Sequence, residues 1–222
     1  MRISIVIPLH NEEKYITPLL KDLRKLKNQI IIVDDGSTDK SILAVNKMKS
    51  KNTIVLRHEV NLGKGAAMKS GADYAFENGV DAVVFMDSDN QHKTSDLSSF
   101  FAALEDKKDD VIFGSRNLNF GVPLVRYLGN KFASVVMKMM FNIYVSDPLC
   151  GFRAFTKNGY KKTRWDSSGY GVEIETIARV GKNKIKFTEV PVETIYHDKV
   201  KGVTLFDAFG ILGEVVKWKL TI

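Results

Sequence analysis

Two aspartates, Asp87 and Asp89, stand one residue apart at the end of an apolar run, "VVFMDSDNQH" from Val83 to His92. Carboxylates so close repel each other, and neither helps a core. A divalent cation held between them removes the conflict. Just past a strand end, side chains at i and i+2 can point to one side. Hard oxygen ligands placed so suit Mg²⁺ or Mn²⁺, which keep several waters and bridge phosphates. Gln91 offers a third oxygen. A D-x-D occurs often by chance, so its surroundings decide the reading.

Two further polar clusters follow apolar runs. "ISIVIPLHNEE" ends in His10, Asn11 and Glu12, and "IIIVDDGSTD" in Asp34, Asp35, Gly36 and Ser37. Each alone reads equally well as a turn or helix cap. Three at once are poorly explained that way. In open parallel sheets, ligands bind outside the carboxyl ends of the strands, where all three clusters would converge.

The elements that must position them alternate. "ISIVIP" is a buried strand stopped by Pro8. A helix then runs from Asn11 and Glu12 to about Leu26, with Ile16, Leu19, Leu20 and Leu23 on one face. Strands "IIIVDD", "TIVLRH", "DAVVFMD" and "DVIFGSR" alternate with helices in "GSTDKSILAVNKM", "GKGAAMKSGADYAFENG" and "SDLSSFFAALED". Continuous apolar strands between helices imply an α/β fold, with a parallel sheet covered on both faces.

From about Leu118 the alternation breaks. Val125 to Val145 reads as an apolar helix, "GFRAFT" as a strand and Tyr170 to Val180 as a helix. "KIKFTEVPVETIYH" reads as strands broken at Pro191, and Thr204 to Leu220 as a last helix. The chain is expected to be one domain, 1–222, with a nucleotide-binding half to about 117 and a specificity-bearing half from about 118.

Composition limits the classes. With 222 residues, 44% of them apolar, wholesale disorder is excluded. The one cysteine, Cys150, excludes an internal disulfide and suits a reducing cytoplasm. No stretch offers the ~20 uncharged apolar residues that span a bilayer, and the start does not read as a signal peptide. The net charge of +7 points to an anionic partner. No G-x-G-x-x-G follows the first strand, so a dinucleotide site is not expected. "NLGKGAAM" lacks phosphate-loop spacing; it reads as a glycine-rich helix start, with Lys64 as a candidate nucleotide contact.

In order along the chain, "VIPLHNEE", "IIIVDDGSTD", "NLGKGAAMKSG", "DSDNQH", "GSR" and "SDPLCGFRAF" resemble the inverting glycosyltransferases of family 2, the GT-A type. The likeness is strongest to the branch with dolichyl-phosphate mannosyltransferase and related polyprenyl-phosphate glycosyltransferases. It covers about Arg2 to Phe155, and the rest more loosely. The resemblance implies a GT-A, Rossmann-like, mostly parallel sheet flanked by helices, with C-terminal amphipathic helices. It implies a nucleotide sugar at Pro8, Asn11, Glu12, Asp34, Asp35, Lys64 and Ser88, and a metal on Asp87, Asp89 and Gln91. Arg116, Arg126 and Lys131 would face an acceptor phosphate. Asn130 stands where some relatives carry serine, and Lys199 and Lys201 stand where the family carries a basic loop. GDP-mannose and UDP-glucose are both open as donors. Transfer to a sugar or lipid hydroxyl is the alternative.

A hydroxyl acceptor needs a general base. A polyprenyl monophosphate needs none, because its second pKa is near ~6. Asp147, Glu173 and Glu175 are further acids, and Asp147 is expected either to pair with Arg153 or to act catalytically. The glutamates of "YGVEIET" fit a strand or a helix start. His197 is a candidate metal neighbour; His10, His58 and His92 are expected at the surface.

Two amphipathic stretches, 124–145 and 204–220, are expected to lie on the cytoplasmic face of a membrane, with Trp218 between Lys217 and Lys219. Nucleic acid is not an expected partner. Rival readings are a haloacid-dehalogenase-type phosphatase, whose D-x-D lies on the first strand, and a nucleotide-sugar-binding regulator.

Overall fold

The computed structural model describes residues 1–117, 124–194 and 205–221, with the backbone alone for 124–126 and 205–212. Seven strands form one sheet: β1 (Ile3–Leu9), β2 (Gln29–Asp35), β3 (Thr53–His58), β4 (Ala82–Phe85), β5 (Val111–Arg116), β6 (Arg153–Thr156) and β7 (Phe187–Val192). Their order is β3-β2-β1-β4-β6-β5-β7. Every pairing is parallel except those of β6, which runs antiparallel to both β4 and β5. The sheet is thus mostly parallel, as expected, with β6 from the second half of the chain as its one antiparallel strand. Because β5 sits between β6 and β7, the stretches before and after 117 share one sheet.

Helices cover both faces, which is why the inner strands read as unbroken apolar runs. α1 (Glu13–Leu23), α2 (Ser41–Met48) and α4 (Leu97–Glu105) bury Ile16, Leu20, Val45 and Phe100 against Ile5, Ile7 and Val84. On the other face lie α3 (Lys64–Glu77), α5 (Leu124–Phe141), α6 (Lys157–Thr163), α7 (Val172–Lys182) and α8 (Leu205–Thr221). They place Ala67, Met137, Tyr160, Ile177 and Val215 over Val6, Val83 and Phe113.

Other boundaries move for local reasons. α1 ends at Leu23, not Leu26, where Lys25 N and Leu26 N turn back to Asp22 O and Leu23 O. β3 is an edge strand and only half-buried. Pro191 does not break its strand; it lies exposed within β7, which is also an edge strand. An edge tolerates a residue with no N–H to donate. Trp218 is buried in the core beside Gly171, so its side chain is not at a membrane interface.

"YGVEIET" resolves as the start of α7, which sends its two glutamates to different tasks. Glu175 accepts hydrogen bonds from Asp166 N at 2.9 Å, Ser167 N at 2.8 Å and Arg179 Nε at 2.7 Å. The loop it holds supports the start of α3: Ala66 N donates to Ser168 O at 3.0 Å, and a Cβ on Gly65 would lie 2.2 Å from Ser167 O. Burial opposes the Glu175 charge, but the hydrogen bonds of Ser167, Asp166 and Arg179 outweigh it and hold the carboxyl below its ordinary range. Its stabilisation is therefore full above the unfolded value of ~4.3 and lost as pH falls through the lower folded value. Glu175→Gln should cost about 1–3 kcal/mol at neutral pH. Urea titrations at pH 7 and pH 3 should show the variant and the parent converging at the acid end; an equal gap at both pH values contradicts this role.

Candidate active site

The carboxyl ends of β1, β2 and β4 meet at one edge, as the strand clusters imply. At the end of β1, Asn11 has φ 52, a left-handed conformation that asparagine tolerates. Its Oδ1 accepts from Thr38 N at 2.8 Å and Asp39 N at 3.3 Å, and its own N donates to Ser37 Oγ at 3.1 Å. Glu12 N donates to Ser41 Oγ at 2.8 Å. Pro8 is buried within β1, opposite Val33. Asn11 and Glu12 thus clamp the loop that leads from β2 to α2.

The β2 aspartates face inward. Asp34 Oδ1 accepts from Ser37 N at 3.2 Å, and Oδ2 lies 3.2 Å from Arg57 Nε in an ion pair without hydrogen-bond alignment. Asp35 receives His58 Nδ1 at 2.7 Å and Leu62 N at 2.9 Å on Oδ1, and Gly63 N at 2.8 Å on Oδ2. Its carboxylate sets the loop before α3. His58, expected at the surface, is instead largely buried between Asp35 and Ser70.

Past β4, the chain turns through Asp87, buried Ser88, Asp89 and Asn90, the last at φ 58. Asp89 Oδ1 accepts from Gln91 N at 3.0 Å. Asp87 Oδ1 lies 2.6 Å from Lys64 Nζ, which also lies 2.8 Å from Glu173 Oε1. Burial works against the Lys64 charge, but Asp87 and Glu173 outweigh it and raise its pKa. Asp87 is lowered in turn: burial opposes its charge, and Lys64, His92 and Arg116 overcome the opposition. Asp89, disfavoured by burial and then by the Asp87 charge, is pushed up to about 6. A Cβ on Gly151 would lie 2.3 Å from Asp87 Oδ2, so only glycine leaves that carboxylate room.

His92 is not at the surface. It is buried, with Nε2 3.9 Å from Asp87 Oδ2, its ring 5.1 Å from that of Phe152 and Nδ1 without a hydrogen bond. Burial brings its pKa down to about 4.

At the end of β5, Arg116 forks onto Asp147, with Nε to Oδ2 at 2.6 Å and Nη2 to Oδ1 at 2.9 Å. The expected Asp147–Arg153 pair does not form. Arg153 is buried and donates to the carbonyls of Pro148, Cys150 and Glu173 and to Thr176 Oγ1. Asn130 is buried on α5, with neither amide atom hydrogen-bonded. Lys131 Nζ lies 5.8 Å from the Tyr127 ring. The side chain of Arg126, and His197, Lys199 and Lys201, lie outside the described residues.

Sequence reading singled out Glu173 and Asp147 as acids but missed what they pair with, Lys64 and Arg116. The available signal was the excess of acids inside otherwise buried segments, "GVEIETIARV" and "VSDPLCGF".

The donor set fits a divalent ion. Among the described residues no group of three or more His, Cys, Asp or Glu forms a cage. Two carboxylates and one amide suit an ion such as Mg²⁺ that takes its other ligands from phosphate and water.

This edge geometry agrees with a comparison of sequences: the model of "Glycosyl transferase family 2" matches residues 4–171. The chain belongs to glycosyl transferase family 2. A UDP-N-acetylglucosamine–dolichyl-phosphate N-acetylglucosaminyltransferase of Methanococcus voltae is 29% identical, over 98% of this chain and 96% of that one. A dolichol-phosphate mannosyltransferase of Pyrococcus furiosus is 26% identical, over 99% of this chain and 65% of that one. The fold is that of glucosyl-3-phosphoglycerate synthase from Mycobacterium tuberculosis, solved with Mn²⁺, UDP-glucose and phosphoglyceric acid. The TM-score is 0.68 at 20% identity, over 99% of this chain and 78% of that one. The glycosyltransferase reading and the GT-A-type fold are thus established for this chain.

The turn that carries Asp147 offers a direct probe. Burial, then the Asp147 charge, pushes the Cys150 thiol up to about 12. This thiol should resist a disulfide reagent at pH 8 in the native glycosyltransferase and react fully once unfolded. Asp147→Asn weakens the fork to Arg116 and should speed native labelling. Rapid labelling of the parent chain would show that the turn is not packed as described.

Proposed function

We propose that this glycosyltransferase moves a hexose from a nucleotide sugar to a polyprenyl monophosphate, with inversion. The observation that supports the reading is the gathering of charge at the ends of β4 and β5: Lys64 lies on Asp87, Arg116 is forked onto Asp147, and the Asp87 carboxyl is held down against burial by Lys64 first, then by His92 and Arg116. A cation for an acceptor phosphate would thus stand beside the proposed metal site. The M. voltae and P. furiosus relatives, named for dolichyl and dolichol phosphate, support the acceptor class.

Asp87, Asp89 and Gln91 would hold Mg²⁺ or Mn²⁺, which when bound neutralises charge on the leaving diphosphate. Pro8, Asn11 and Glu12, over the loop set by Asp34 and Asp35, would border the base and ribose. Ser88 and Lys64 would line the diphosphate, with Lys199 and Lys201 closing over it. Arg116, with Arg126, Asn130 and Lys131, would orient the acceptor oxygen. The acceptor is already anionic, so no side chain must take a proton. GDP-mannose and UDP-glucose are the donors to assay first.

A lipid acceptor requires a surface that meets the bilayer. Leu128, Phe132, Val135 and Met139 are exposed at i, i+4, i+7 and i+11 along α5, Met139 at 79%. On α8, Val216 and Leu220 are exposed, and Lys219 Nζ ties this helix to Met140 O of α5. Lysines 131, 138 and 217 flank the row. Exposed apolar rows with basic flanks suit an anionic lipid surface. No described helix is long and apolar enough to cross a membrane; the contact proposed for these rows is peripheral, on the cytoplasmic face.

The reaction test measures nucleoside diphosphate released from a donor panel with polyprenyl phosphate and Mg²⁺ or Mn²⁺. Release should require the lipid phosphate, and Asp89→Asn should keep the fold but lose nearly all of it. Transfer to neutral sugars alone, or full activity in excess EDTA, contradicts the reading. Phe132→Ser with Met139→Ser should abolish co-sedimentation with anionic vesicles while leaving nucleotide binding intact; undiminished sedimentation places the contact elsewhere.

A further inference from the structure

A site that collects a divalent ion on two carboxylates should present their charge to solvent. Here one of the two is already answered. Lys64 Nζ sits 2.6 Å from Asp87 Oδ1 and 2.8 Å from Glu173 Oε1. Glu173 is buried, its Oε2 has no hydrogen-bond partner among the described residues, and Lys64 is its direct ion-pair partner, with the buried Arg153 guanidinium adding a more remote positive charge.

The lysine is held there by its backbone. A Cβ on Gly63 would lie 2.5 Å from Ser168 O, and one on Gly65 2.2 Å from Ser167 O. Trp165 Nε1 donates to Gly65 O at 2.8 Å. Gly151 closes the other side, since its Cβ would lie 2.9 Å from Lys64 Nζ. The ammonium has little room to leave, and an ion arriving at Asp87 meets a like charge.

Resting on the metal assignment above, we propose that Lys64 is an internal cation that competes with the divalent ion for Asp87. Glu173 sets how far the lysine leans on that carboxylate. The ion therefore binds weakly by itself and enters together with a nucleoside diphosphate. The diphosphate charge offsets Lys64, whose third N–H can turn to a phosphate oxygen. Lys64 is a positioning residue in this scheme, and so is Glu173.

The two residues make opposite demands. Lys64→Gln removes the rival charge and leaves Glu173 beside the aspartates. Mn²⁺ alone should then bind about tenfold or more tighter, because like charges a few ångströms apart repel strongly at low dielectric. Glu173→Gln leaves Lys64 only Asp87, so Mn²⁺ alone should bind several-fold weaker. Lys64→Arg keeps the charge and should keep weak binding. The experiment follows the free Mn²⁺ spin-resonance signal in titrations of the full chain, with and without UDP or GDP, after thermal melts confirm that each variant is folded. The parent should bind Mn²⁺ much more tightly with the diphosphate, and Lys64→Gln should lose most of that coupling. If Mn²⁺ binding depends on Asp89 but Lys64→Gln does not tighten it, or Glu173→Gln does, the competition is wrong while the metal site stands. If Asp89→Asn leaves Mn²⁺ binding unchanged with and without diphosphate, the metal assignment falls, and this inference with it.

Discussion

Parallel strands bring acids to one edge of the sheet, and each buried charge there must be answered. Asp35 is answered by two loop N–H groups and His58, Asp147 by the fork of Arg116, and Asp87 by Lys64. An uncompensated buried carboxylate costs more than any one contact returns. The loops are therefore shaped around the carboxylates. Asp89 is the exception: burial and its neighbour's charge push it up to about 6. A fold that keeps such a group at the site has left a demand for positive charge there.

That demand depends on distant packing. Glu175 holds the loop at 166–168, that loop fits against Gly63 and Gly65, and the start of α3 aims Lys64 at Asp87. Arg153 works similarly from beneath, tying the 148–150 turn to the first turn of α7. Both arrangements join segments far apart in the chain, so the site is only as rigid as the contact between α3, α7 and the strand ends. Close approach of backbone explains the glycines there better than a phosphate loop does.

Much of this was legible in the sequence, and for identifiable reasons. Unbroken apolar runs mark strands covered on both faces, and Ile16, Leu19, Leu20 and Leu23 fall on one helix face because 3.6-residue periodicity leaves a clear trace. All four are buried. The direction of β6 left no such trace, since an apolar run reads the same in either direction. Pairing was harder still. Asp147 lies six residues from Arg153 and far along the chain from Arg116, so local reading offered Arg153 or a catalytic role and did not reach Arg116. Glu173 and Glu175 could not be separated until α7 fixed which way each points. Trp218 beside two lysines looks interfacial, yet the indole packs inward and leaves Val216 and Leu220 outside.

The most direct measurement is a crystal of the full chain grown with Mn²⁺ and a nucleoside diphosphate, with anomalous diffraction recorded at the manganese edge. One strong peak should appear at the end of β4, within about 2.0–2.3 Å of carboxylate oxygens from Asp87 and Asp89, and bridged to the diphosphate. A peak held by other residues, or an ordered diphosphate at this edge with no manganese between it and the two aspartates, would contradict the assignment.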